Sequence, residues 1–273
     1  MTEIVVLDDT RRHPELTERI TELLSEVASP VAEVTGLALP PTVRFRLVTP
    51  RAWRDETIKS QRRTLTRDIA DLPLKPDDIS PAQTALKFMR VIPVLVWPLV
   101  VGATMAAADG QEETLAAPWA LHHSGLLADE PSLVQMLAHE LTHHLQAAAI
   151  ADNTGWRTWF PTQRNLPHSR IVSTVVEGHA RWTDQQVTTR RYGAPVDHNR
   201  APKSLRHRIH SRIPGIRHLG PSPAAYSAGA RFFESVAASA GVDHINRVWK
   251  DPSLLPTQDE FASPLSWLDR TGI

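Results

Sequence analysis

The 273-residue chain contains no cysteine. Disulfides, a thiolate nucleophile and thiolate-held zinc are therefore excluded, and any metal must be held by histidine and carboxylate side chains. Tyrosine is almost as scarce: Tyr192 and Tyr226 are the only 2. Neither charge is in excess, because 30 basic residues balance 30 acidic ones. Overall charge thus gives no reason to expect a nucleic acid or other polyanion as partner. The N-terminus has no basic segment ahead of an apolar stretch, so the expectation is no secretory leader and a cytoplasmic location. Long hydrophobic runs are nearly absent too. Residues 91–108, VIPVLVWPLVVGATMAAA, form an uncharged run at the lower length limit for a membrane span. Pro93, Pro98 and Gly102 interrupt it, which favours a buried core segment over a span. No membrane partner is expected.

What is present reads as an α+β chain, predominantly α-helical. Apolar residues recur at helical spacing over 14–35, with Pro30 as a break. Val43, Phe45 and Leu47 alternate with Arg44 and Arg46, a half-buried strand pattern over 43–48. Residues 53–70 read as a polar helix, and LPLKPDDISP as a loop. DGQEE at 109–113 is a turn, and the following TLAAPWALHH is a candidate strand. Asp129-Glu130-Pro131-Ser132 is a helix start, with proline near the first helical position and acids near the positive end of the helix dipole. That helix runs to about 150. A second runs from about 168 to 191. A third runs from 223 to 240, with Ser222 as its cap and Gly241 as its stop. Residues 1–128 then supply N-terminal helices and a small sheet, and 129–273 a helical region, together forming one compact domain.

Within the helix after 129 lies His139-Glu140-Leu141-Thr142-His143. On a helix, residues four apart share a face, so His139 and His143 can direct two imidazoles at one ion. Glu140 sits beside the first and can take a proton from water. Leu133, Leu137, Leu141 and Leu145 are spaced by four and predict a buried stripe, which turns the histidine face toward a cleft. His144 points about 100° away from His143 and is either solvent-facing or a supporting partner.

Two histidines do not complete a catalytic zinc site; a third protein ligand is required. The metzincin extension needs glycine at 146 and histidine at 149, but the sequence has Gln146 and Ala149. The alternative takes a glutamate from a later helix. Glu177 follows Ile171, Val172, Val175 and Val176, so it lies on a mostly apolar surface where a lone charge is costly and a metal relieves that cost. Gly178, next to it, lets two helices approach closely. His179 is the rival ligand in this segment.

HELTHHLQ, then EGHA, then the segment from Tyr226 to Arg270 together resemble the Zincin_2 family of bacterial zincin-like metallopeptidases, over roughly residues 115–273. Tyr226, Gly229 and Phe232, then Trp249, Pro256, Glu260, Trp267 and Arg270, carry the most specific part of the likeness. The resemblance implies a His-Glu-x-x-His helix paired with a glutamate-bearing helix, and carries an association with coenzyme F420 biosynthesis. Related zincins place an acid four residues beyond the glutamate ligand; here that position is Arg181, and Asp184, one turn further, is the candidate substitute. Zincins also use a Tyr, His or Arg as oxyanion donor. Tyr226 fits that role better than Tyr192, with a core packing role as its alternative.

The expected function is zinc-dependent, gluzincin-like hydrolysis of peptide bonds by water activated at the metal. His139, His143 and Glu177 hold Zn²⁺, Glu140 is the base, Tyr226 the donor, and a peptide or protein the substrate. The substrate backbone is expected to pair with a strand edge near 114–120. The alternative is a zinc-stabilised scaffold without catalysis, which Arg181 favours. The basic segment 198–218 reads as a solvated helical face.

Overall fold

The computed structural model describes residues 2–72, 75–88, 97–150, 156, 167–196, 200–212 and 223–272. Helices dominate it, around one four-stranded sheet. β1 (Glu3–Asp8), β2 (Thr42–Leu47) and β4 (Glu112–Ala116) run parallel in that spatial order. β3 (Ala103–Ala106) pairs antiparallel with β4 and forms the outer edge, with Thr104 opposite Thr114. Val43, Phe45 and Leu47 of β2 are buried while Arg44 and Arg46 face outward, as the alternation predicts. The strand edge expected near 114–120 is not free: β4 lies between β2 and β3, and Pro118–His123 is a short helix, α4 in chain order. Proline fits the first helical turn, where its missing N–H is no loss. The edge strand beside β4 is β3, and β1 is the opposite edge.

α1 (Pro14–Thr35) runs through Pro30 without ending there. Val27, Val31 and Val34 on either side of the proline are buried, and their packing outweighs the lost backbone hydrogen bond. α2 (Pro50–Asp71) is capped by Thr49, whose hydroxyl accepts from Ala52 N. It closes over one end of β3, where Ser60 and Arg63 both donate to the Ala106 carbonyl, at 2.7 and 3.1 Å. The proline-rich segment expected to be a loop contributes the start of α3 (Pro76–Phe88). Its prolines and aspartates act as helix-start residues rather than turn residues.

Three long helices follow the sheet. α5 (Glu130–Ile150) begins where Asp129 Oδ2 accepts from Ser132 N, at 3.1 Å. α6 spans Pro167–Tyr192. After the short α7 (Leu205–His210), α8 spans Pro223–Ala240. α9 (Val242–Lys250) and α10 (Pro264–Thr271) close the chain. All four leucines of the α5 stripe are buried. Beneath α6 lies an aromatic floor: Trp156 stacks on Trp249, and Phe232, Phe233 and Trp267 fill the space below.

α6 and α8 cross at close range. A Cβ built on Gly178 would overlap Gly229 Cα, and one on Gly229 would overlap the Thr174 carbonyl. Two backbones touch here, so neither neighbour can yield. Gly229→Ala is therefore expected to lower stability by about 3 kcal/mol, the upper range for an overpacked site, measured by denaturant unfolding. A loss below about 1 kcal/mol would mean that the helices part easily.

Residues 91–96, 151–155, 157–166, His198, 213–218 and Ser222 lie outside the described residues. In the described part of the apolar run, Pro98 and Ala107 are buried, and Trp97, Val100, Ala103 and Met105 pack half-buried against Val48, Trp53 and Leu115; Ala103–Ala106 is the edge strand. Among the described residues no helix is long and apolar enough to cross a membrane.

Candidate metal centre

α5 presents His139 and His143 on one face, one turn apart, and α6 brings Glu177 across from them. Glu177 Oε2 lies 3.3 Å from His139 Nε2 and 3.8 Å from His143 Nε2. One donor atom from each of the three residues falls within 4.8 Å of the other two. Bonds of about 2.1 Å to a tetrahedral ion separate its ligands by roughly 3.4 Å, so these donors stand near the spacing that a zinc ion requires. The donor set of two imidazoles and one carboxylate also suits zinc.

The other ring nitrogens are held as metal-binding imidazoles require. His139 Nδ1 donates to Asp184 Oδ2 at 3.1 Å. The second oxygen of Asp184 accepts from Gln135 Nε2 at 3.0 Å and from Arg181 Nη1 at 3.2 Å. Arg181, the departure that had favoured a scaffold, thus braces the carboxylate behind His139. His143 Nδ1 donates to Gln146 Oε1 at 2.8 Å. The Gln146 amide group in turn donates to the Val176 carbonyl and to His179 Nδ1, at 2.9 and 3.0 Å. His179 is fully buried among Trp182, Phe233 and Trp249 and serves as this acceptor, not as a ligand. Burial, with His143 nearby, pushes it down to about 3, so it stays neutral. Gln135 and Gln146 were missed as supporting residues. Their position on the ligand helix, one turn from each histidine, was the available signal.

The electrostatics follow from this shell. Burial opposes charge on His139, but the hydrogen bonds to Asp184 and Glu177 win and raise it to about 10. Burial likewise opposes charge on Glu177, but His139, His143 and Tyr226 lower it to about 2. A metal ion binding here competes with the His139 proton, so its affinity falls as pH falls. The Tyr226 hydroxyl donates to Glu177, and its ring lies 6.4 Å from that of His139. Burial and the adjacent carboxylates hold the phenol well above its usual range, so it remains a donor. Tyr192, the other candidate, ends α6 on the surface with its hydroxyl accepting from Arg191 Nε.

Glu140 is buried, facing β3. Its Oε2 accepts from Thr104 Oγ1 at 2.8 Å. His144 is not solvent-facing: it is buried, with Nε2 2.9 Å from Thr114 Oγ1, and burial pushes it down to about 4. Its distance from solvent comes from β4, which covers that face of α5. His139, Glu140, His143, Glu177, Asp184 and Tyr226 all line one cleft of about 1220 Å³, bordered by residues 99–106 on one side and by Lys203 and His207 of the basic segment at one end. Arg206 and Arg208 of α7 are exposed, with the Arg206 guanidinium 5.6 Å from the centre of the Trp97 ring.

Two histidines on one helix thus face a glutamate on another, with Glu140 beside the first histidine. Residues 161–268 match the family of zincin-like metallopeptidases. The match is narrower than the resemblance read over 115–273. It takes in Glu177, Asp184 and Tyr226, and the histidine pair on α5 lies outside it. No curated protein matches the chain. A crystal structure from Chloroflexus aurantiacus, described as a candidate hydrolase with a novel fold, aligns with a TM-score of 0.57. It is 17% identical, over 95% of this chain and 91% of that one. At that identity the likeness bears on the fold alone.

Proposed function

We propose that this zincin-like protein is a zinc-dependent peptidase. The observation that carries this reading is the convergence of His139, His143 and Glu177 at zinc spacing, beside a carboxylate that holds no ligand position. A zinc ion held there supplies Lewis acidity to the scissile carbonyl and makes water more acidic. Glu140 takes the proton from the attacking water and delivers it to the amine nitrogen as the C–N bond breaks. Asp184 and Gln146 accept from Nδ1 of the two histidines, which would leave each Nε2 to hold the ion once it displaces the proton there. Tyr226 keeps its proton and so can donate to the developing oxyanion, which requires it to turn from Glu177. An extended peptide fits along β3, the edge that borders the cleft. At the far end of that edge the Ala106 carbonyl is already taken by Ser60 and Arg63, so pairing is confined to the end nearer Glu140.

The test is cleavage of a mixed peptide library, read by mass spectrometry. Zinc-loaded protein is expected to cut, chelated protein to leave the library intact, and added zinc to restore cutting. An uncut library in the presence of one bound zinc per chain would favour the scaffold reading.

A further inference from the structure

We propose that Thr104, Thr114 and His144 form a hydrogen-bonded relay that fixes the Glu140 carboxylate from behind, in space that Gly102 leaves open. The proposal deepens the reading of Glu140 as the base and rests on it. Three short contacts make up the relay: His144 Nε2 to Thr114 Oγ1 at 2.9 Å, Thr114 Oγ1 to Thr104 Oγ1 at 2.7 Å, and Thr104 Oγ1 to Glu140 Oε2 at 2.8 Å. Thr104 and Thr114 are direct cross-strand partners in β3 and β4, so the sheet register itself holds the two hydroxyls together.

Counting protons gives the relay a direction. Three bonds need three protons, and each threonine supplies one. Glu140 in its base form only accepts, so Thr104 must donate to it. Thr114 must then donate to Thr104, and the remaining bond requires a proton on His144 Nε2. His144 is therefore a donor at the end of the relay, and each threonine proton is committed to one of the short bonds. Held at Oε2, the carboxylate keeps Oε1 for the reacting water.

Gly102 gives independent support. A Cβ at this position would lie 2.7 Å from Glu140 Oε1 and 2.8 Å from its Cδ and Cγ. The carboxylate thus lies between position 102 and Thr104, two residues apart on the edge that borders the cleft. The atoms in the way belong to the far end of a flexible side chain, so alanine at 102 displaces the carboxylate rather than the fold.

The test uses the full chain loaded with zinc. Isotope-labelled histidine NMR, with His144 assigned by its loss in His144→Gln, is expected to find the proton on Nε2. In cleavage of the fastest-cut library peptide, Thr104→Val is expected to lower kcat by about 10- to 100-fold, the range for one hydrogen bond to a charged group. KM and zinc content should be unchanged, and Thr104→Ser should recover most of the rate. Gly102→Ala is expected to lower kcat with thermal stability intact. A bare Nε2 on His144, or a Thr104→Val protein as fast as wild type, overturns the relay. If wild type cuts nothing, the peptidase reading fails, and the His144 proton decides the relay by itself.

Discussion

Glu140→Gln is expected to slow peptide hydrolysis by ~10²–10⁴-fold, the usual contribution of a positioned base, with zinc held at one ion per chain. The substitution keeps the shape of the side chain and its ability to accept from Thr104 Oγ1, and removes only the basic oxygen. Glu140 is outside the ligand triple, so metal content and thermal unfolding should match wild type. Library cleavage and elemental analysis on the same samples make the comparison. A Glu140→Gln protein that cuts at the wild-type rate would contradict the proposed chemistry whatever its zinc content.

Glu177→Ala is expected to do the opposite and abolish metal retention. Two imidazoles remain, and they lose the only charged ligand. Dialysed Glu177→Ala should hold under about a tenth of the wild-type zinc, since a structural or catalytic zinc site needs at least three protein ligands. Ligand binding to the native state stabilises it by about 2.7 kcal/mol at a hundredfold excess over Kd. Added zinc should therefore raise the melting temperature of wild type and leave Glu177→Ala unmoved. Acid should weaken zinc binding to wild type. Because His139 is raised to about 10, every unit of pH below that value costs about tenfold in affinity through this one group. Isothermal titration at pH 6 and 8 checks the sign. Full zinc in Glu177→Ala would promote another carboxylate or histidine to ligand.

The convergence of His139, His143 and Glu177 was legible because its signals are local. His139 and His143 are one helical turn apart, and the leucine stripe orients the helix without any knowledge of its neighbours. Glu177 was legible because an acid on an apolar surface needs a reason to be there. Helix ends at Glu130, Tyr192 and Ala240 followed from proline, glycine and aspartate placement. Asp184 apart, the residues that support the histidines and Glu140 were illegible for the converse reason. Gln146 and His179 meet across 33 positions of chain, and Thr104 and Glu140 across 36; glutamine and threonine have no spacing rule that announces such a partner. Gly102 read as an interruption of an apolar run, and only the approach of Glu140 gives it a purpose. α3 was misread because proline and aspartate begin helices as readily as they make turns. The strand edge was misplaced because pairing order, unlike helical phase, is not written in one segment.

The most direct test of the central claim is a crystal of the full chain grown with zinc and measured at the zinc absorption edge. The account predicts one strong anomalous peak per chain, about 2.1 Å from His139 Nε2, His143 Nε2 and a Glu177 oxygen. A map with no peak between α5 and α6, or with its peak on other side chains, would contradict it.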